Sequence, residues 1–255
     1  MKLQKNDIYF INNNKPINDK MINKMKKYKK IEFRFDFNNP VDNLPVNITQ
    51  ITFGTSFDQS VDNLPSELQN LTFGLYFNKS VDNLPKGLQN ITFGIFFDQS
   101  VDNLPIRLKN LTFDMYFNKS VDNLPIELQN LTFGYKFNQP VDNLPSGLKN
   151  IKFGDEFNQP VDNLPFELQN IKFGGEFNQP VNNLPVNLKN IIFDKLGLFN
   201  HSIDNLPSGL QNITLPDNFN QLIDNLPSGL KSITLGERFN QPIDKLYTSL
   251  KIIRQ

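Results

Sequence analysis

A phenylalanine returns every 20 residues at positions 37, 57, 77, 97, 117, 137, 157 and 177, and after one step of 22 it returns at 199, 219 and 239. Each opens a copy of one unit, seen in full over Phe137–Glu156, and the 11 copies run to the end of the chain with the last incomplete. A unit this short cannot enclose a core of its own. It buries apolar surface only against the units before and after it, which is the definition of a solenoid. Residues 37–255 therefore read as one repeat domain, and residues 1–36 as a capping segment carrying a degenerate repeat.

Within a copy, Leu68, Leu71 and Phe73 belong to a stretch that alternates over its last residues and contains a β-favouring Thr. This predicts a short strand with Leu71 and Phe73 facing in and Asn70 and Thr72 facing out. Phe77, Val81 and Leu84 should turn inward after it. No segment between strands has the length or periodicity of a helix, and Pro85 pushes Leu84 toward extended backbone, so an extended outer side is expected. The architecture is mainly β, with one parallel strand per coil of about 20 residues. Of 24 Phe, 11 open the copies and eight more close strands from Phe53 to Phe193, which predicts two columns of stacked rings.

Two polar columns accompany the rings. Asn follows the leading Phe except where Asp58 and Asp98 stand, and Asp shares only the acceptor half of the Asn repertoire. The shared task is to accept hydrogen bonds from backbone N–H groups. Asp42, Asp62, Asp82 and their equivalents form the second column, broken at Asn182; an Asx turn before Leu-Pro is the plainer reading, a calcium column the other. Asp58 and Asp98 should lie beside Lys79 and Lys119 on the following coils. The two extra residues of Asp194–Leu198 should bulge from the loop side and leave the flanking strands in register.

Net charge is zero by cancellation: residues 1–36 hold 10 Lys/Arg and 4 Asp/Glu, and the rest hold 16 and 22. A neutral chain is not expected to bind nucleic acid in general. With no Cys, neither disulfides nor thiolate metal sites are possible, which fits a reducing, intracellular and most simply cytoplasmic setting. There is no charged-then-apolar leader, and no apolar run approaches the ~20 residues of a membrane span. In the basic segment, Asn18 can cap a helix whose Met21, Ile22, Met25 and Tyr28 fall at helical spacing. Ile8-Tyr9-Phe10 and Ile31-Glu32-Phe33 both match the apolar-x-Phe pattern of the later strands. The lysines around the helix are read as the solvated face of a cap. The last strand, Leu250–Gln255, shows no recognisable cap, and a bare strand edge invites end-to-end self-association.

No catalytic constellation is visible. The single His201 fills a loop slot taken by Gln, Lys or Asn in other copies, there is no phosphate loop, and no cofactor or metal site is expected. What varies against the fixed background is the pair after each strand. Leu75-Tyr76, Ile95-Phe96, Met115-Tyr116 and Tyr135-Lys136 put large groups on successive copies, after which Asp155-Glu156 and Gly175-Glu176 change the chemistry. If exposed, Leu75, Tyr76, Ile95, Phe96, Met115, Tyr116 and Tyr135 are candidate partner-binding residues. The alternative is that one residue of each pair tucks inward and the rest form a self-covering ladder.

The run Phe-Asn-Gln-Pro-Val followed by Leu-Pro-x-x-Leu-x-x-Ile-x-Phe-Gly, as in Phe157–Gly174, resembles the FNIP repeat, a relative of leucine-rich repeats, from about Phe37 to Gln255. Most copies here are two residues shorter than the usual FNIP unit. The resemblance implies a right-handed leucine-rich-repeat-like solenoid and a non-enzymatic protein-binding array that uses its β face and one rim. FNIP arrays often follow an F-box, so the substrate-recognition part of a ubiquitin ligase is an implied alternative. The 36 residues ahead of the first full unit contain no F-box-like helical opening.

Overall fold

The computed structural model describes residues 7–244 and 246–254. Thirteen strands form one parallel sheet in strictly sequential order. In chain order these are β1 (Ile8–Ile11), β2 (Lys30–Phe33), β3 (Gln50–Thr52), β4 (Asn70–Thr72), β5 (Asn90–Thr92), β6 (Asn110–Thr112) and β7 (Asn130–Thr132). They continue as β8 (Asn150–Lys152), β9 (Asn170–Lys172), β10 (Asn190–Ile192), β11 (Asn212–Thr214), β12 (Ser232–Leu235) and β13 (Lys251–Arg254). The one helix among the described residues, α1 (Asp19–Met25), lies between β1 and β2. The chain divides into two compact units, Met1–Lys119 with Leu124–Leu128, and Ser120–Asn123 with Gln129–Gln255.

Each coil is built as its chemistry dictates. In the first unit, Leu68, Leu71, Phe73, Phe77 and Val81 are all buried, while Asn70 and Thr72 are only half-buried on the other face of β4. The rings stack in a zigzag. Phe73 and Phe77 lie nearly parallel with centroids 3.8 Å apart, and each meets its counterpart one coil on, Phe73 with Phe93 at 5.4 Å and Phe77 with Phe97 at 6.1 Å. The second unit repeats the pattern, with Phe153 and Phe157 at 3.8 Å and Phe157 and Phe177 at 6.1 Å. Leu215 and Leu235 fill the strand-closing slot in the last coils and are fully buried.

The outer side contains no helix among the described residues. Leu-Pro is extended, as its sequence dictates, and is framed by two tight turns. The second is closed in each copy by a hydrogen bond such as that from the Leu68 N–H to the Pro65 carbonyl at 3.1 Å. In the last coil Tyr247 stands where Pro stands elsewhere, and its hydroxyl donates to the Leu230 carbonyl at 2.6 Å and lies 3.1 Å from that of Pro227. The end of the array thus carries a tie that its sequence does not announce. Burial pushes the Tyr247 phenol above the ordinary tyrosine range.

The Asn18 side chain accepts from the Met21 N–H at 3.1 Å, and Met25 is fully buried while the neighbouring lysines are exposed, as expected of a cap. The register of β1 differs from the sequence reading. Tyr9 pairs with Ile31 and Ile11 with Phe33, so Ile11 takes the buried slot and Phe10 turns to the outer face. There the Arg34 guanidinium sits 4.7 Å from the Phe10 ring centroid. A one-residue slip exchanges the faces of a strand, and this cation–π contact accompanies the slipped register. The two-residue insertion behaves as expected: Asn190 stays opposite Asn212, and the extra residues leave Leu196 and Leu198 exposed.

Candidate partner-binding rim

The pair following each strand is fixed by an extra rung between coils. The Tyr76 N–H donates to the Thr55 carbonyl at 3.1 Å, that of Phe96 to Leu75 at 3.1 Å, and that of Tyr116 to Ile95 at 3.0 Å. Because every second residue is tied to the first residue of the coil before it, the second side chains stand one above another. Tyr76, Phe96 and Tyr116 are 51%, 40% and 42% exposed, with parallel rings 5.3 and 5.2 Å apart. Met115 beside them is exposed, and Leu75 and Ile95 are half-buried. In the second unit Tyr135 is exposed and occupies the first position of its pair, with the Lys136 ammonium 5.2 Å from its ring centroid. Lys136 also pairs with Glu156. None of these seven positions is drawn into the core. Tyr76, Phe96 and Tyr116 among them form a ladder that is both stacked and exposed.

The polar columns are structural. Asn38, Asp58, Asn78 and Asp98 each accept, through Oδ1, from the backbone N–H at the same position of the next coil, at 2.9–3.0 Å. The second unit continues with Asn138, Asn158, Asn178, Asn200 and Asn220 at 2.9–3.1 Å. Acceptor chemistry is all the position demands, so Asn and Asp interchange. The neighbouring side chain follows the choice: Gln59 and Gln99 donate to Asn38 and Asn78, whereas Lys79 and Lys119 pair with Asp58 and Asp98 at 3.0 and 2.8 Å. His201 takes the Gln role, with Nε2 2.9 Å from the Asn178 carbonyl; since a carbonyl only accepts, that nitrogen carries the proton.

The Asp column links coils. Asp62 accepts from Ser60 Oγ at 2.7 Å and from Asn83 Nδ2 at 3.1 Å, and these two bonds hold its carboxyl below the usual carboxylate range. Among the described residues no cluster of His, Asp and Glu is arranged to hold a metal ion. No described helix is long and apolar enough to cross a membrane.

The family model described as FNIP Repeat matches residues 37–76, 97–136, 117–154, 137–176 and 222–247. The chain belongs to the FNIP repeat family. No curated protein matches it. Among solved structures it is similar to CroV588, described as a novel circular LRR protein, at 32% identity and a TM-score of 0.74. That match covers 99% of this chain but only 47% of the other, so this FNIP chain spans about half of CroV588. An internalin (inlF) from Listeria monocytogenes str. 4b F2365 matches at 14% identity and a TM-score of 0.63, over 92% of this chain and 76% of that one. The second likeness is one of fold alone.

Two features of the FNIP coils escape a sequence reading. Asn90 Nδ2 donates to Asn70 Oδ1 at 2.6 Å, and the same amide ladder runs in the second unit from Asn130 through Asn150 and Asn170 and ends where Ser232 donates to Asn212. The available signal is the Asn that opens every strand from β4 to β11, because stacked identical amides pair with one another. On the outer turns, Val46, Ile106, Ile126, Phe166 and Val186 are exposed at the position after Leu-Pro, which other copies fill with Ser or Lys.

Proposed function

We propose that this FNIP chain is a non-enzymatic interaction scaffold that receives a protein partner on the rim bearing Tyr76, Phe96 and Tyr116. The observation that carries the reading is the exposure of three parallel rings on successive coils, flanked by exposed Met115. Tyr and Phe bring large contact area at small entropic cost, and Tyr adds a polar handle. Because the rings are already stacked, a partner covers a surface that is ordered before it arrives, which removes part of the cost of association.

The test replaces Tyr76, Phe96 and Tyr116 together by Ser and compares capture from the native cell, read by mass spectrometry, with thermal unfolding. Loss of specific prey with a nearly unchanged melting curve is the expected result. A large fall in stability would assign the rings to the structure, and retained capture would remove the rim from the binding surface. Recovery of ubiquitin-ligase scaffold subunits among the prey would attach the array to that machinery.

A second reading rests on β13, which pairs with β12 and, among the described residues, with no other strand, and whose Ile253 is exposed. We infer that this edge supports self-association, opposed by exposed Lys251 and Arg254, charges of the kind that blunt an edge. Sedimentation velocity across micromolar concentrations should show a reversible shift in mass that Ile253→Lys removes; a constant monomer mass overturns this reading.

A further inference from the structure

On β4 to β7 the residue that follows the inward Leu or Ile and faces away from the core is Thr; on β8 and β9 it is Lys152 and Lys172, and on β10 it is Ile192. The parallel register places Lys152 directly opposite Lys172. Parallel strands lie ~4.8 Å apart, and like charges set opposite one another destabilise a sheet. Among the described residues no ion pair within bridging distance involves either lysine, and Ile192 beside them is exposed. An open groove of about 430 Å³ lies over these same strands, and its lining includes Lys152, Lys172, Ile192 and the amide ladder of Asn150 and Asn170.

We propose that this groove binds an acidic peptide segment of a protein partner, one that presents two carboxylates to Lys152 and Lys172 and an aliphatic side chain to Ile192. In an extended peptide, residues i and i+2 project to the same side ~7 Å apart, a spacing that two lysine stems rooted on adjacent strands can span. The bound carboxylates supply countercharge inside the groove, whose described lining carries no acidic side chain. A nucleic acid fits less well. No aromatic ring lines the groove to stack on bases. This surface lies in the second unit and the aromatic rim in the first, so either proposal can fail without the other.

The test measures fluorescence anisotropy of a fluorescein-labelled octapeptide alternating Glu and Leu, against wild-type protein and the double variant Lys152→Thr/Lys172→Thr. Thr is the residue that the neighbouring strands carry, so the variant should melt at or above the wild-type temperature, and Lys152→Gln/Lys172→Gln serves as a second, separate check of the charge. The expected result is salt-sensitive binding that weakens about tenfold in both variants, as loss of two exposed charge pairs implies, together with a comparable loss for the same peptide made with Gln. Equal binding to wild type and variants, or no binding to wild type, overturns the proposal. Tighter binding of a labelled oligonucleotide than of the peptide would also overturn it, by making the groove a phosphate site.

Discussion

Phe113→Ala should lower the free energy of unfolding by about 3–5 kcal/mol, read from urea denaturation followed by circular dichroism. Phe113 is buried, lies face to face with Phe117 at 3.7 Å, and contacts Phe93 and Phe97 at 5.5 and 6.5 Å. Truncation therefore removes one large apolar group and also opens a gap among rings that the backbone rungs between coils keep from closing in. The stacking term adds to the transfer term, since offset aromatic pairs contribute ~0.5–1.5 kcal/mol beyond burial. Phe113→Leu separates the two. Leu215 and Leu235 already fill this slot in the last coils and are fully buried, so a leucine here should fit at a cost of about 1 kcal/mol. The leading column is different, because every copy keeps Phe there. Phe117→Leu should cost more than Phe113→Leu. A loss below about 1 kcal/mol for Phe113→Ala would mean that the rings are not what holds the coils together.

The reason so much of this fold is legible in its sequence is that a solenoid has only nearest neighbours. Once the period is known, position in the copy determines position in space, so the inward Leu71 and Phe73, the turn acceptors Asn38 and Asp58, and the pairing of Asp58 with Lys79 all follow from alignment of the chain with itself. Legibility fails where the repeat does. The register of β1 depends on whether Phe10 or Ile11 faces in, and an Arg34–Phe10 contact with no counterpart in later copies accompanies the answer. The Tyr247 tie occupies a slot that is Pro elsewhere, so the repeat gives no precedent for it. Exposure of the rim could not be read either. Two large residues after a strand can be placed either way round, and the backbone rung from Tyr76 to Thr55 decides that the ring stands outside. The lysines of the β8–β9 face are visible as letters, but as a departure from Thr they gain meaning only with the register that sets one against the other.

Asn158→Leu and Asn158→Asp should part company by a wide margin. Asn158 Oδ1 accepts from the Asn178 N–H at 2.9 Å and from Gln179 Nε2 at 3.1 Å. Leu is similar in size and removes this acceptor, leaving the Asn178 N–H without its partner and Gln179 Nε2 with only the Asn158 backbone carbonyl, 3.1 Å away. The cost of such a loss is about 1–3 kcal/mol, and the lower part of that range applies here because water reaches the site. Asp keeps Oδ1 in place, so Asn158→Asp should change stability by no more than about 0.5 kcal/mol. Adding Gln179→Lys to it recreates the arrangement of Asp58 with Lys79, where ammonium and carboxylate lie 3.0 Å apart. A double-mutant cycle over Asn158→Asp and Gln179→Lys should then give a favourable coupling of about 0.2–1 kcal/mol, the size of an exposed ion pair, that fades as salt is raised. Gln179→Lys alone, opposite the native Asn158, meets no carboxylate and should bring no salt-dependent gain. If Asn158→Asp proved as damaging as Asn158→Leu, the donor half of the Asn amide would be the part that matters, and the alternation of Asn and Asp along the first unit would need a different cause.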